Sequence, residues 1–198
     1  MDESQTGDAL PPPAPGAEDH LAIAFVNSAI ALPGGQHVDL LDTPATTNLW
    51  LSAHGLAPAD AGVRETCATQ LRSLRGHLRA LFAARVAGLP APSESLVAVN
   101  DALGRAPAAA LLRWDEETGP YRATQCPTHE ILDRALATLA ANAADLLTGS
   151  DAERLTACGS PPCTRYLLRH GRRQWCSVRC GDRARAARAY ARRTHASP

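Results

Sequence analysis

The chain has 198 residues, and its 20 cationic side chains, all Arg, balance 20 acidic ones, so its formal charge is zero. Hydrophobic residues make up 45%, enough for a packed core, and no apolar run approaches the ~18 residues of a membrane span. The neutrality hides a segregation: residues 151–198 carry eleven Arg against three acids, a net of +8, and residues 1–150 carry the opposite −8.

Residues 1–18 are rich in Pro, Gly and acids, a composition that predicts a disordered tail. The first apolar residues follow acids and not a basic region, so no secretory signal is expected, and a cytoplasmic setting follows. Leu21 to Ala31 reads as a helix ended by Pro33-Gly34-Gly35. Pro44 to Gly55 reads as a second, with Asp42 or Thr43 as cap. A long helix is predicted from Pro58 to Ala87, with Val63, Cys67, Leu71, Leu74, Leu78, Leu81 and Phe82 at helical spacing. Ser93 to Leu103 reads as a short helix capped by Ser93. The period then changes. Two short runs about a Thr118-Gly119 turn predict a β-hairpin, with Asp115-Glu116-Glu117 as its solvated tip. Thr128 to Leu147 is again amphipathic, closed by Gly149.

The most specific pattern follows. Cys158, Cys163, Cys176 and Cys180 are spaced C-x4-C, twelve residues, C-x3-C. Two close pairs flanking a short loop let one segment wrap a tetrahedral ion, and four soft thiolates suit zinc. A closed shell leaves no coordination position for water or substrate, so the one ion expected is structural. Gly159, Pro161 and Pro162 predict a tight turn in the first pair, and Gly171 a reversal in the loop. Disulfides are the alternative, disfavoured in a reducing cytosol. His170 could replace a ligand but is not needed, and Cys67 and Cys126 read as buried small residues.

Ser177 to Arg193 is helix-compatible, with Ser177 as cap and Cys180 on the first turn. Arg185, Arg188 and Arg192 fall on one stripe and are candidates for phosphate contact on double-stranded DNA. Ala184, Ala187, Tyr190 and Ala191 lie on the other side and could pack inward. Arg183 projects with that second group and reads as an internal strut. A solvated basic face with no partner is the competing reading.

These residues carry a resemblance. Leu155 to Arg193, with Trp175 before Cys176 and Cys180-Gly181-Asp182-Arg183 as signature, resembles the CGNR zinc finger, with Asp182 in place of the family's Asn. The resemblance makes Trp175 a structural residue of the finger beside Arg183. Leu21 to Leu56 is similar to the ABATE domain, matching at Phe25-Val26-Asn27-Ser28, Asp39-Leu40-Leu41, Trp50-Leu51 and Gly55-Leu56, with Ala24 where the family has Asp. The resemblance implies a bacterial, stress-responsive, zinc-bound transcription regulator that contacts DNA.

The expected fold is therefore α+β: a mostly helical body with a small antiparallel hairpin, then a four-cysteine zinc knuckle and a basic helix. The expected division is a tail over 1–18, a body over 19–149 and a finger over 150–195. The body would sense a small-molecule effector or mediate association, with a homodimer left open. Asn27, an amide inside an apolar run, either bonds to a neighbouring loop or lines a ligand pocket. No glycine-rich phosphate loop or G-x-S-x-G motif is present, and His129-Glu130 is an isolated pair, so no enzyme is expected. The alternatives are a zinc-stabilised protein-interaction module and, ranked last, an enzyme with its pocket near Asn27.

Overall fold

The apolar run at Leu21 starts a helix but sustains it for only six residues. Helix α1 spans Leu21–Val26 in the computed structural model, which describes residues 10–31, 35, 37–106, 110–124 and 131–195. After Asn27 the chain becomes strand β1 (Ala29–Ala31), antiparallel to β2 (His37–Asp39), with Ile30 opposite Val38. The helix expected to reach Ala31 is thus replaced by a hairpin. A short apolar run suits a helix or a strand, and here pairing with residues further along the chain decides.

Helix α2 (Pro44–Ala53) carries a capping box, in which Thr43 accepts from Thr46 N and the Thr46 side chain returns to the Thr43 backbone. Helix α3 runs from Glu65 to Ala87, not from Pro58, because Arg64 is extended at φ −105° and ψ 166°. Its buried face carries Leu71, Leu74, Leu78, Leu81 and Phe82, the spacing of an amphipathic helix. Helix α4 (Ser93–Gly104) is capped by Pro92 and not by Ser93, since the Pro92 carbonyl already accepts from Ser95 N and Leu96 N, both at 3.1 Å. Strands β3 (Ala110–Asp115) and β4 (Gly119–Thr124) form the expected hairpin. Its tip is an Asp115 turn, in which Oδ1 accepts from Thr118 N at 2.8 Å and Glu117 N at 3.0 Å. Helix α5 spans Ile131–Thr148. Cys126, His129 and Glu130 lie outside the described residues.

Helix α1 packs against α3 and α5, so nearly every side of it is covered. Phe25, Leu71, Leu78, Phe82, Leu139 and Leu146 are fully buried, each such burial stabilising by about 1.5–3 kcal/mol. Phe25 lies 5.4 Å from the Trp50 ring, and Phe82 meets Tyr166 edge-on at 5.6 Å. Tyr166 belongs to the cysteine-rich part. The same hydrophobic cluster also takes in Leu155, Leu167, Leu168, Cys158, Cys176 and Cys180. One apolar core therefore spans the expected boundary at residue 149.

Of the tail expected over 1–18, residues 1–9 lie outside the described residues and residues 10–18 are ordered. Far from being a loose tail, they run along the cysteine-rich part, where Pro15 O accepts from Leu168 N at 2.8 Å and Pro12 O accepts from Arg165 at 2.7 Å. Ala14 is buried. At Gly16, with φ +89°, a Cβ would lie 2.5 Å from Leu168 Cγ, so only glycine fits. Prolines lower the entropic cost of fixing the segment, and turns closed by Ala17 N to Ala14 O at 3.0 Å and His20 N to Gly16 O at 2.9 Å lead it into α1. Among the described residues, no helix is long and apolar enough to cross a membrane.

Candidate metal centre and basic helix

Strands β5 (Leu155–Ala157) and β6 (Tyr166–Leu168) pair antiparallel, with Thr156 opposite Leu167. The loop joining them carries Cys158 and Cys163. It is fastened by Cys158 N to Arg165 O at 2.8 Å, Cys163 N to Ser160 O at 3.0 Å and Gly159 N to Gln174 O at 3.0 Å. The second pair stands at the start of helix α6 (Val178–His195). Ser177 caps that helix, its hydroxyl accepting from Cys180 N at 3.2 Å, which puts Cys180 in the first turn.

These supports bring all four Sγ atoms within 4.8 Å of one another. Cys176 Sγ stands 3.6 Å from both Cys163 Sγ and Cys180 Sγ. That is far beyond a disulfide bond, and all four thiols are free. It is close to the edge, about 3.8 Å, of a tetrahedron with Zn–S bonds near 2.3 Å. Cys158, Cys176 and Cys180 are buried, Cys163 half-buried. Hydrogen bonds from Cys163 and Cys176 hold the Cys158 thiol down to about 2. The reciprocal bond to Cys158 pushes Cys163 up to about 11, and Cys176 is pushed up for the same reason. Four thiolates so close repel one another, and a dication is what lets all four ionise. Among the described residues these four are the one group of His, Cys, Asp or Glu side chains with metal-binding geometry. His170 is not among them: its ring faces Arg154 Nη2 at 2.9 Å. Cys67 is half-buried in α3 and stands apart.

Further groups surround the sulfurs. Cys176 N donates to Cys158 Sγ at 3.4 Å. Arg165, buried, donates to Cys176 Sγ at 3.7 Å. Arg183 donates to Cys180 Sγ at 3.3 Å, and to Ser160 Oγ at 3.2 Å and Ser160 O at 3.1 Å. Nothing in its own segment distinguishes Arg165 from the nearby exposed arginines. Gly181 lies under Trp175, and a Cβ there would come 3.3 Å from the indole, a tight contact that the ring would have to yield to.

Trp175 does more than fill space. Arg185 and Arg188 both stand over its ring, at 5.8 and 5.5 Å from the centroid. Arg185 also forms an ion pair with Asp182 one turn back. Arg192 is exposed further along the same helix. The other face differs from expectation: Ala187 is exposed and Tyr190 is 71% exposed. Beyond Arg185 the residues of α6 up to Arg193 are exposed, apart from the half-buried Ala189.

Asn27 is buried. Its Nδ2 donates to Tyr166 O and its Oδ1 accepts from Tyr166 N, both at 2.8 Å. The amide ties α1 to β6, the hydrogen-bonding alternative of the two. Sequence reasoning also missed Arg75, buried among the leucines of α3. It pairs through both terminal nitrogens with Asp39 at 2.6 Å and donates to Ser28 Oγ at 2.9 Å. Arg79, one turn on, bridges Val26 O at 2.6 Å and Thr164 O at 2.8 Å, binding α1 to the cysteine loop.

Residues 19–150 match the family model ABATE, described as "Putative stress-induced transcription regulator". Residues 154–193 match the model of the CGNR zinc finger. Among curated proteins no match was found.

Proposed function

The chain belongs to the ABATE family and ends in a CGNR zinc finger, and from that premise we propose that it is a DNA-binding transcription regulator organised by one structural zinc. Cys158, Cys163, Cys176 and Cys180 hold the ion, which fastens the start of α6 to the body. The exposed part of α6 then meets the phosphates of double-stranded DNA through Arg185, Arg188 and Arg192. The observation that carries this reading is the pair of guanidiniums over Trp175. They are held in place before any partner arrives, which reduces the side-chain entropy lost on binding. With four thiolates and a zinc dication counted, residues 151–198 keep a charge of about +6, enough to attract a polyanion. On this reading the chain works in a reducing bacterial cytoplasm and the ABATE body senses an effector or mediates association. No catalytic role is assigned.

A second reading is favoured by the β3–β4 hairpin. Leu112 is 75% and Trp114 74% exposed, a pattern common at protein interfaces. There the finger would serve a protein-interaction module without DNA binding.

The test is to sequence genomic fragments that co-purify with the intact chain. A shared site enriched well above input supports the regulator. Fragments indistinguishable from input, with a protein partner recovered instead, favour the interaction module.

A further inference from the structure

Two buried or half-buried guanidiniums touch the cysteine cluster, and neither has a carboxylate partner among the described residues. Arg165 is 4% exposed, and its Nε makes no hydrogen bond among them. One terminal nitrogen is held by Pro12 O at 2.7 Å, and the other points to Cys176 Sγ at 3.7 Å. Arg183 is held by Ser160 through its hydroxyl and carbonyl and reaches Cys180 Sγ at 3.3 Å. A buried guanidinium without a counter-charge costs several kcal/mol. Among the described residues, the anions these two face are thiolates.

Resting on the reading that the four cysteines hold zinc, we propose that Arg165 and Arg183 are the counter-charges of the metal centre. Four thiolates around a zinc dication carry a net charge of −2, which two guanidiniums cancel. The loaded centre is then neutral and can lie within an apolar core at small desolvation cost. Each guanidinium also draws electron density from the sulfur it meets. Cys176 and Cys180 become weaker nucleophiles, and the centre gives up its metal less readily. Because Arg165 is tethered to Pro12, residues 10–18 belong to the support of the metal. The arginine of the finger's signature acts here through the metal, as a positioning residue, and not through DNA.

The test is a cobalt(II) titration of the full chain, read by absorbance, for wild type, Arg183→Gln, Arg183→Lys and Arg165→Gln. Wild type should give the bands of a tetrahedral thiolate site. In both Gln variants the sulfur-to-cobalt charge-transfer band should move to longer wavelength and affinity should fall about 10- to 100-fold. Arg183→Lys, which keeps the charge, should stay near wild type on both counts. Gln variants with wild-type band and affinity overturn the proposal. So does a Lys variant as weak as Gln, which would reduce Arg183 to a brace for Ser160. A wild-type chain with no tetrahedral spectrum overturns the zinc reading itself, and the counter-charges with it.

Discussion

Asn27 and Tyr166, 139 residues apart in the chain, pair as two strands would, with the Asn27 amide exchanging 2.8 Å hydrogen bonds with both the N–H and the C=O of Tyr166. One side chain at the end of α1 thereby completes the edge of β6. Replacing it with Leu keeps the volume but strands two buried backbone groups. Asn27→Leu should cost about 2–4 kcal/mol, because each unsatisfied group costs roughly 1–3. Urea denaturation of the zinc-loaded chain measures this. A loss below about 0.5 kcal/mol would mean that the pair contributes little.

Metal removal should be felt throughout the chain. Leu155, Tyr166, Leu167 and Leu168 share one hydrophobic cluster with α1, α3 and α5. Chelation, or Cys176→Ser, should therefore lower the melting temperature of the whole helical signal, where a finger with its own core would simply detach. The ion supplies folding energy on the order of 10 kcal/mol in small zinc modules. Limited proteolysis checks the same point: a body over residues 20–148 that survives chelation intact would show that the contacts between body and finger carry little energy.

The Asp39–Arg75 pair gives a pH signature. Burial opposes the Asp39 charge, but the hydrogen bonds from Arg75 and Leu41 N–H, with the charges of Arg75 and Arg72, outweigh it and hold the carboxyl below the usual range. A carboxyl depressed on folding stabilises at pH above its unfolded value, about 4, and that contribution is lost as pH falls through the folded value. Asp39→Asn should cost about 2–3 kcal/mol at pH 7, less than a fully buried pair because Asp39 is partly exposed. The gap between the two proteins should narrow below about pH 4. A gap independent of pH would show that the amide replaces the carboxylate without loss.

What could be read from the chain alone followed local rules. The cysteine cluster was legible because close spacing along the chain limits how far its pairs can separate. Helices α2 and α5 were legible from caps and the 3.6-residue period. Strands β1 and β2 were not, because Ala29–Ala31 becomes a strand only when His37–Asp39 lies beside it. Nor was the packing of residues 10–18, whose composition carries no sign of their contacts with Leu168 and Arg165. Arg75 and Arg165 were missed for a shared reason: an arginine looks the same in sequence whether its partner is water, a carboxylate or a thiolate.

Asp182 should temper DNA binding, since its carboxylate pairs with Arg185 on the exposed face of α6. Asp182→Asn removes that competitor for the guanidinium and one negative charge. Affinity for duplex DNA should rise about two- to fivefold at low salt, and the salt dependence should steepen by up to ~0.9. Unchanged affinity in a filter-binding assay would place Arg185 away from the phosphates.

The central claim is that a zinc-anchored α6 meets DNA through Arg185, Arg188 and Arg192. Its most direct test is fluorescence anisotropy of a labelled duplex across a salt series, comparing the zinc-loaded wild type with the triple alanine variant. Each phosphate contact contributes roughly −0.9 to the slope of log K against log salt. The variant should stay folded and retain zinc, with a slope shallower by about two to three units. A wild type that does not bind at low salt, or a variant with the wild-type slope, would contradict the claim.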